Sequence, residues 1–242
     1  MNIAVIFAGG TGQRMHTKSR PKQFLELNGK PIIIYTLELF DNHPQIDGIV
    51  VACIESWIPF LKKMLRKFEI NKVVDIVPGG ATGQESIYKG LCAAEKFVKG
   101  HKEHDDIVLI HDGVRPLINE ETITENIKTA REKGNCITSV PAFETFIINQ
   151  SDGSLEIPDR KQCMIARAPQ TFFLKDILAA HRRAIAEDLH NFIDSCGLMT
   201  FYGSRMHTII GPVENIKITT PMDFFVFRAM VEVHENQQIF GF

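Results

Sequence analysis

Five short apolar runs mark the first 140 residues, and a longer amphipathic stretch separates each from the next. The runs are Ile3 to Phe7, Ile49 to Cys53, Val73 to Val77, Ile107 to Ile110 and Cys136 to Val140. They are rich in consecutive Val and Ile, broken by Asp75 in the third and Thr138-Ser139 in the fifth. None shows the strict polar alternation of a half-exposed strand, as suits parallel strands covered on both faces. Helical periodicity fills the gaps at Ile32 to Phe40, Trp57 to Phe68, Gln84 to Phe97 and Glu120 to Glu132. Asn119 stands where the last of these needs a cap, with acids in its first turn. Strand and helix in strict alternation predict an α/β fold with a doubly wound, mostly parallel sheet.

The alternation stops after residue 141. Residues 142–166 hold a polar turn, Asn149-Gln150-Ser151-Asp152-Gly153-Ser154, between two apolar segments, which predicts a protruding β-hairpin arm. Helices resume at Leu174 to Ala186 and again after Pro221. Without repeats or a low-complexity linker, the expectation is one domain over residues 1–242 with residues 142–166 as an arm. A net charge of -2 lacks the basic excess that nucleic acid or an anionic membrane demands. The five cysteines form no C-x-x-C pair, which argues against a zinc or redox motif and suits a reducing compartment. The opening residues lack a basic leader, and their apolar run is too short to span a membrane, so a cytoplasmic location is expected.

Candidate chemistry clusters where strands end. Ala8-Gly9-Gly10-Thr11-Gly12-Gln13-Arg14 follows the first strand, and its glycines let backbone N–H groups approach a polyphosphate while Arg14 adds a charge. Neither a P-loop nor the dinucleotide fingerprint fits this stretch. Lys22, in Arg20-Pro21-Lys22-Gln23-Phe24-Leu25, reads by itself as a solvated loop residue; with Arg14 it places two cations where an α-phosphate would gather charge. Asp112, in His111-Asp112-Gly113-Val114-Arg115-Pro116, reads as a ligand for Mg2+ or a ribose hydroxyl, or else as a plain helix cap. A second glycine-rich turn, Pro78-Gly79-Gly80-Ala81-Thr82-Gly83, opens a helix whose first turn holds Ser86.

Together these residues resemble the cytidylyltransferases that act on 2-C-methyl-D-erythritol 4-phosphate and on ribitol 5-phosphate. The likeness runs from Ala8-Gly9-Gly10 to Asn215-Ile216-Lys217-Ile218-Thr219-Thr220, nearly the whole chain. It implies a Rossmann-like nucleotidyltransferase fold, cytidine triphosphate (CTP) as donor and Mg2+ as cofactor. It implies catalytic roles for Arg14 and Lys22, and nucleotide contacts from Ala8, Gly9, Gly10, Gly12, Gly79, Gly80, Ser86, Asp112 and Arg115, with Asp112 also the metal ligand. It further implies that Thr145 and Arg160 reach the acceptor phosphate across a homodimer interface made by the arm, while Lys217 completes the site within its own subunit.

Four positions depart from the erythritol-phosphate branch: Gly83 for Arg, Glu144 for Asp, Ala168 for Thr and Ile193 for Thr. Three of them fall in the acceptor half. Ala8-Gly9-Gly10, Phe24-Leu25-Glu26-Leu27 and Ile157-Pro158-Asp159-Arg160 resemble the ribitol-phosphate branch instead. The expected reaction moves a cytidine monophosphate (CMP) unit from CTP to D-ribitol 5-phosphate, giving CDP-ribitol for cell-surface polymers. The alternatives are the erythritol-phosphate acceptor of isoprenoid synthesis and a non-catalytic nucleotide-binding protein on the same fold. The latter predicts loss of the cations, yet Arg14, Lys22 and Lys217 all stand.

Overall fold

The computed structural model describes residues 1–10, 15, 20–100 and 105–240. Its frame is a seven-stranded sheet. Strand β1 (Asn2–Ala8) lies near the middle, followed by two minor strands, β2 (Glu26–Leu27) and β3 (Lys30–Pro31), that pair with each other. Helix α1 (Ile32–Asp41) leads to β4 (Gly48–Cys53), and α2 (Ile58–Lys67) to β5 (Val73–Pro78). The chain then crosses by α3 (Gly83–Val98) to β6 (Ile107–Asp112) on the other side of β1. Helix α4 (Glu120–Lys133) precedes β7 (Asn135–Pro141). Next come a two-stranded hairpin, β8 (Ile148–Asn149) with β9 (Leu155–Glu156), and the long β10 (Met164–Phe173). Helices α5 (Leu174–Ala186) and α6 (Ser195–Phe201), strand β11 (Thr208–Ile210) and helix α7 (Pro221–Phe240) complete the order.

The sheet runs β11-β7-β10-β6-β1-β4-β5. β1 pairs in parallel with both β4 and β6, and β10 alone runs antiparallel to its neighbours β6 and β7. Because side chains alternate across a strand, β1 feeds two cores. Ala4 and Ile6 pack with α1, α2 and α4, whereas Ile3 and Val5 pack with α3, α5 and α6. Asn119 caps α4 as its sequence position suggests, accepting the Thr122 N–H at 2.9 Å.

Two expectations need correction. Val73 to Val77 is not buried on both faces: β5 is the sheet edge, and Val74 is 39% exposed. Residues 164–166 belong to β10 as well as to the arm, and Met164, Ile165 and Ala166 pair with Pro141, Val140 and Ser139. β10 combines Arg167, a proline and the buried polar residues Gln170 and Thr171, so hydropathy hides it. Those polar atoms are satisfied. Thr171 donates to Asn126 Oδ1 at 3.0 Å, and Gln170 donates to Asp194 Oδ2 at 2.9 Å while accepting the Cys196 N–H.

His181 on α5 is buried beside the Tyr88 ring, and neither ring nitrogen has a partner. Burial lowers its pKa from the usual 6.5 to about 4. The unfolded chain therefore binds the extra proton between those values, and the native state loses stability as pH falls through that window. The shift corresponds to about 3 kcal/mol. The melting temperature is expected to fall between pH 6.5 and 4, and His181→Leu should flatten that decline; an unchanged acid slope in the variant would refute the assignment.

Candidate active site

β1, β5 and β6 end on the same edge of the sheet, and the chain switches direction across β1. Ligands bind at such a switch point, beyond the strand carboxyl ends. A cleft of about 520 Å³ opens there. Ala8, Gly9, Gly10, Lys22, Gly80, Ser86, Asp112 and Lys217 all line it. Gly79 and Arg115 do not line it: Gly79 packs on Gly9, and Arg115 pairs with Asp112. Gly12 and Arg14 lie outside the described residues.

The two glycine turns touch each other. A Cβ on Gly9 would meet Ser86 Oγ at 2.8 Å, and one on Gly79 would meet the Gly9 Cα at 3.1 Å. These two glycines therefore serve loop-to-loop contact, whereas a Cβ on Gly10 would meet nothing within 4 Å. Ser86 orders the second turn: its hydroxyl donates to the Thr82 carbonyl and accepts the Gly80 N–H, both at 2.9 Å.

The Pro21-to-Leu25 run divides its work. Gln23, almost fully buried, donates to the carbonyls of Ala8 at 2.6 Å and Gly10 at 3.3 Å, which fixes the first turn. Phe24 stacks on Trp57 and anchors the segment in the core. Lys22 Nζ, at the cleft, donates to the Ile218 carbonyl at 3.0 Å across 196 residues. Gln23 was quoted in the sequence run, but nothing local reveals that it clamps the neighbouring loop.

At the centre stands Asp112. Its Oδ1 meets Lys217 Nζ at 2.5 Å and its Oδ2 meets Arg115 Nε at 2.7 Å. Burial alone would raise its pKa, but Arg115 and Lys217 outweigh it and hold the carboxyl at about 2. Next to it, burial keeps His111 neutral with a pKa of about 4, and the ring faces the Arg115 carbonyl through Nε2 at 3.1 Å.

A second cavity, of about 280 Å³, shares Phe7, Gly83, Asp112 and Lys217 with the first. Its other wall is β10 and residues 193–195, with Arg167 and Ala168 prominent. Arg167 went unnoticed in the sequence because no motif surrounds it. Thr145 and Arg160 line neither cavity of the single chain; both are exposed on the arm, where Arg160 Nη1 donates to the Phe143 carbonyl at 3.1 Å. The loop behind Ile193 is tied to the second glycine turn by Gln84, which donates to the Leu189 carbonyl and accepts the Phe192 N–H.

A cleft with room for a nucleotide, joined to a second chamber across the shared wall of Asp112 and Lys217, suits an enzyme that brings two substrates together. The comparisons agree. Residues 2–233 match the family described as 2-C-methyl-D-erythritol 4-phosphate cytidylyltransferase (IspD). The ribitol-5-phosphate cytidylyltransferase of Vibrio parahaemolyticus serotype O3:K6 is 51% identical over 242 residues, all of both chains. The 2-C-methyl-D-erythritol 4-phosphate cytidylyltransferase of Syntrophus aciditrophicus is 34% identical over 97% of each. The crystal structure of 4-diphosphocytidyl-2C-methyl-D-erythritol synthase from Anaerococcus prevotii superposes with a TM-score of 0.79 at 26% identity, covering 96% of both chains. This chain belongs to the IspD cytidylyltransferase family and is a CTP-dependent nucleotidyltransferase.

Gly9→Ala is expected to push Ser86 and the second glycine turn away and to raise the KM for CTP about tenfold, roughly 1.4 kcal/mol. Steady-state kinetics on the folded variant checks this. An unchanged KM would mean that the two turns need not touch.

Proposed function

We propose that the enzyme transfers CMP from CTP to D-ribitol 5-phosphate, forming CDP-ribitol and releasing pyrophosphate. The observation that carries this reading is the shared wall: Asp112 and Lys217 face both cavities, so an acceptor phosphate in one lies beside a nucleotide in the other. Full-length relatives named ribitol-5-phosphate cytidylyltransferase reach 50–51% identity, against 34% for those named for the erythritol phosphate, which favours the ribitol acceptor.

An acceptor phosphate oxygen attacks the α-phosphorus, the new P–O bond forms, and the bond to the bridging oxygen breaks. Pyrophosphate leaves with the electron pair. The attacking oxygen is already ionised, so the site needs positioning and charge more than a base. Lys22, with Arg14, supplies charge at the triphosphate; Lys217 holds the seam between the two anions. Ala8, Gly9, Gly10, Gly80 and Ser86, which line the cleft, form the nucleotide cradle, with Gly79 supporting Gly9; the resemblance adds Gly12.

Asp112 is the sole carboxylate among the residues lining the larger cleft, and its low pKa keeps it a permanent anion. Among the described residues, no group of three acidic, His or Cys side chains could cage a metal. Asp112 would hold Mg2+ with phosphate and water as the other ligands, at the cost of its contact with Lys217 or Arg115. When bound, the ion neutralises triphosphate charge.

The arm supports a homodimer. Leu155 and Ile157 are 63% and 64% exposed, beside Phe143, Ile147 and Ile148, an apolar surface that a second copy would cover. In that assembly Thr145 and Arg160 would reach the partner's acceptor cavity. Light scattering should give about twice the chain mass of 27.3 kDa, and a chain mass equal to that value would remove the dimer. Among the described residues, no helix is long and apolar enough to cross a membrane.

Pyrophosphate release with CTP and Mg2+ tests the acceptor. Ribitol 5-phosphate is expected to exceed 2-C-methylerythritol 4-phosphate and the glycerol phosphates by at least about a hundredfold in kcat/KM, roughly 2.7 kcal/mol of discrimination. Preference for the erythritol phosphate would overturn the ribitol assignment.

A further inference from the structure

The smaller cavity holds a cation that no carboxylate neutralises. Arg115, Arg167 and Lys217 line it together with two acids, Asp112 and Asp194. Asp112 is taken by Arg115 and Lys217. Asp194 is spent on structure: Oδ1 accepts the Gly197 N–H at 2.8 Å, capping α6, and Oδ2 accepts from Gln170. Arg167 makes no salt bridge among the described residues, and its buried Nε has no hydrogen-bond partner.

Its position is nonetheless fixed. Arg167 Nη1 donates to the Asn215 carbonyl at 2.9 Å, and Arg115 Nη1 donates to that same oxygen at 3.0 Å. Asn215 is fully buried and its amide donates to the Ala168 carbonyl at 2.7 Å, so β10 and both guanidiniums are held to one residue. Asp112 offsets the charge of Arg115 through Nε, whereas Arg167 has no carboxylate partner among the described residues, and a phosphate with several acceptor oxygens is the natural bridge between the two guanidiniums. Burial and the Arg115 charge lower the Arg167 pKa, yet arginine stays protonated in proteins. Ala168, next in the chain, contributes no side-chain donor, and the Gln170 amide is engaged with Asp194 and the Cys196 N–H, which leaves Arg167 as the charged group that β10 presents to the cavity.

We propose that Arg167 is a specificity-determining residue, pairing with Arg115 to take the phosphate dianion of the acceptor. The inference rests on the acceptor reading above and adds to it the group on β10 that selects a phosphorylated polyol over a neutral one.

The test is equilibrium binding of inorganic phosphate to the full chain with Mg2+ and saturating α,β-methylene CTP, which fills the nucleotide cleft and cannot be turned over. Arg167→Gln is expected to weaken phosphate binding at least fivefold while affinity for the CTP analogue stays within twofold. Arg167→Lys should restore most of the loss, which a merely structural role would not do. If Arg167→Gln fails to fold, Arg167→Met replaces it. A smaller fall, no rescue by lysine, or no phosphate binding by the wild type would overturn the proposal. Phosphate binding that depends on Arg167, without turnover of any polyol phosphate, would sink the acceptor reading alone. Ribitol 5-phosphate turnover with an acceptor KM unmoved in the variant would sink the Arg167 proposal alone.

Discussion

The carboxylate of Asp112 is gripped by one cation from its own loop and one from late in the chain, and the site is organised around that grip. Arg115 lies three residues on and Lys217 more than a hundred. A carboxylate at the end of a buried strand costs several kcal/mol to desolvate unless it is paired. Its partners repay that cost and are themselves positioned by it. Lys217 is brought in by the Asn215-to-Thr220 segment, which also offers its Ile218 carbonyl to Lys22 and its Asn215 carbonyl to both arginines. One late segment thus orders Lys22, which follows β1, Arg115, which follows β6, and Arg167 on β10 at once.

What the sequence revealed follows from how local each feature is. β1, β4 and β6 were legible because parallel strands covered on both faces need unbroken apolar runs, and β7 showed through its Cys136, Ile137 and Val140 despite Thr138 and Ser139. β5 carries the same kind of run but stands at the sheet edge, a difference that lies in the topology and not in the strand. β10 was hidden for the opposite reason. Its buried Gln170 and Thr171 look like surface residues until their partners, Asp194 and Asn126, are known.

The site divides in the same way. Gly9, Gly10, Lys22, Gly80, Ser86 and Asp112 stood out because they follow strand ends in compact runs, and the structure gathers them in one cleft. Gln84 and Arg167 did not, since each acts on a segment far away in sequence, nor did Gln23, whose hold on the first glycine turn depends on how the loop folds back. The glycines were read as room for phosphate, but at Gly9 and Gly79 the room is for the other turn. Sequence position identified which loops matter; only the fold shows which atoms within them face the cleft.

The order in which the chain builds its two chambers has an evolutionary consequence. Apart from Lys217 and Thr219, the larger cleft is lined by residues before 115, whereas the far wall of the smaller one comes from 166–170 and 193–195. Only Phe7, Gly83, Asp112 and Lys217 belong to both. Descendants of such a chain can exchange one substrate for another by drift in two short late stretches, while the donor half and its chemistry stay under unbroken selection. A lineage with one nucleotide and many acceptors is what this division of labour along the polypeptide would generate.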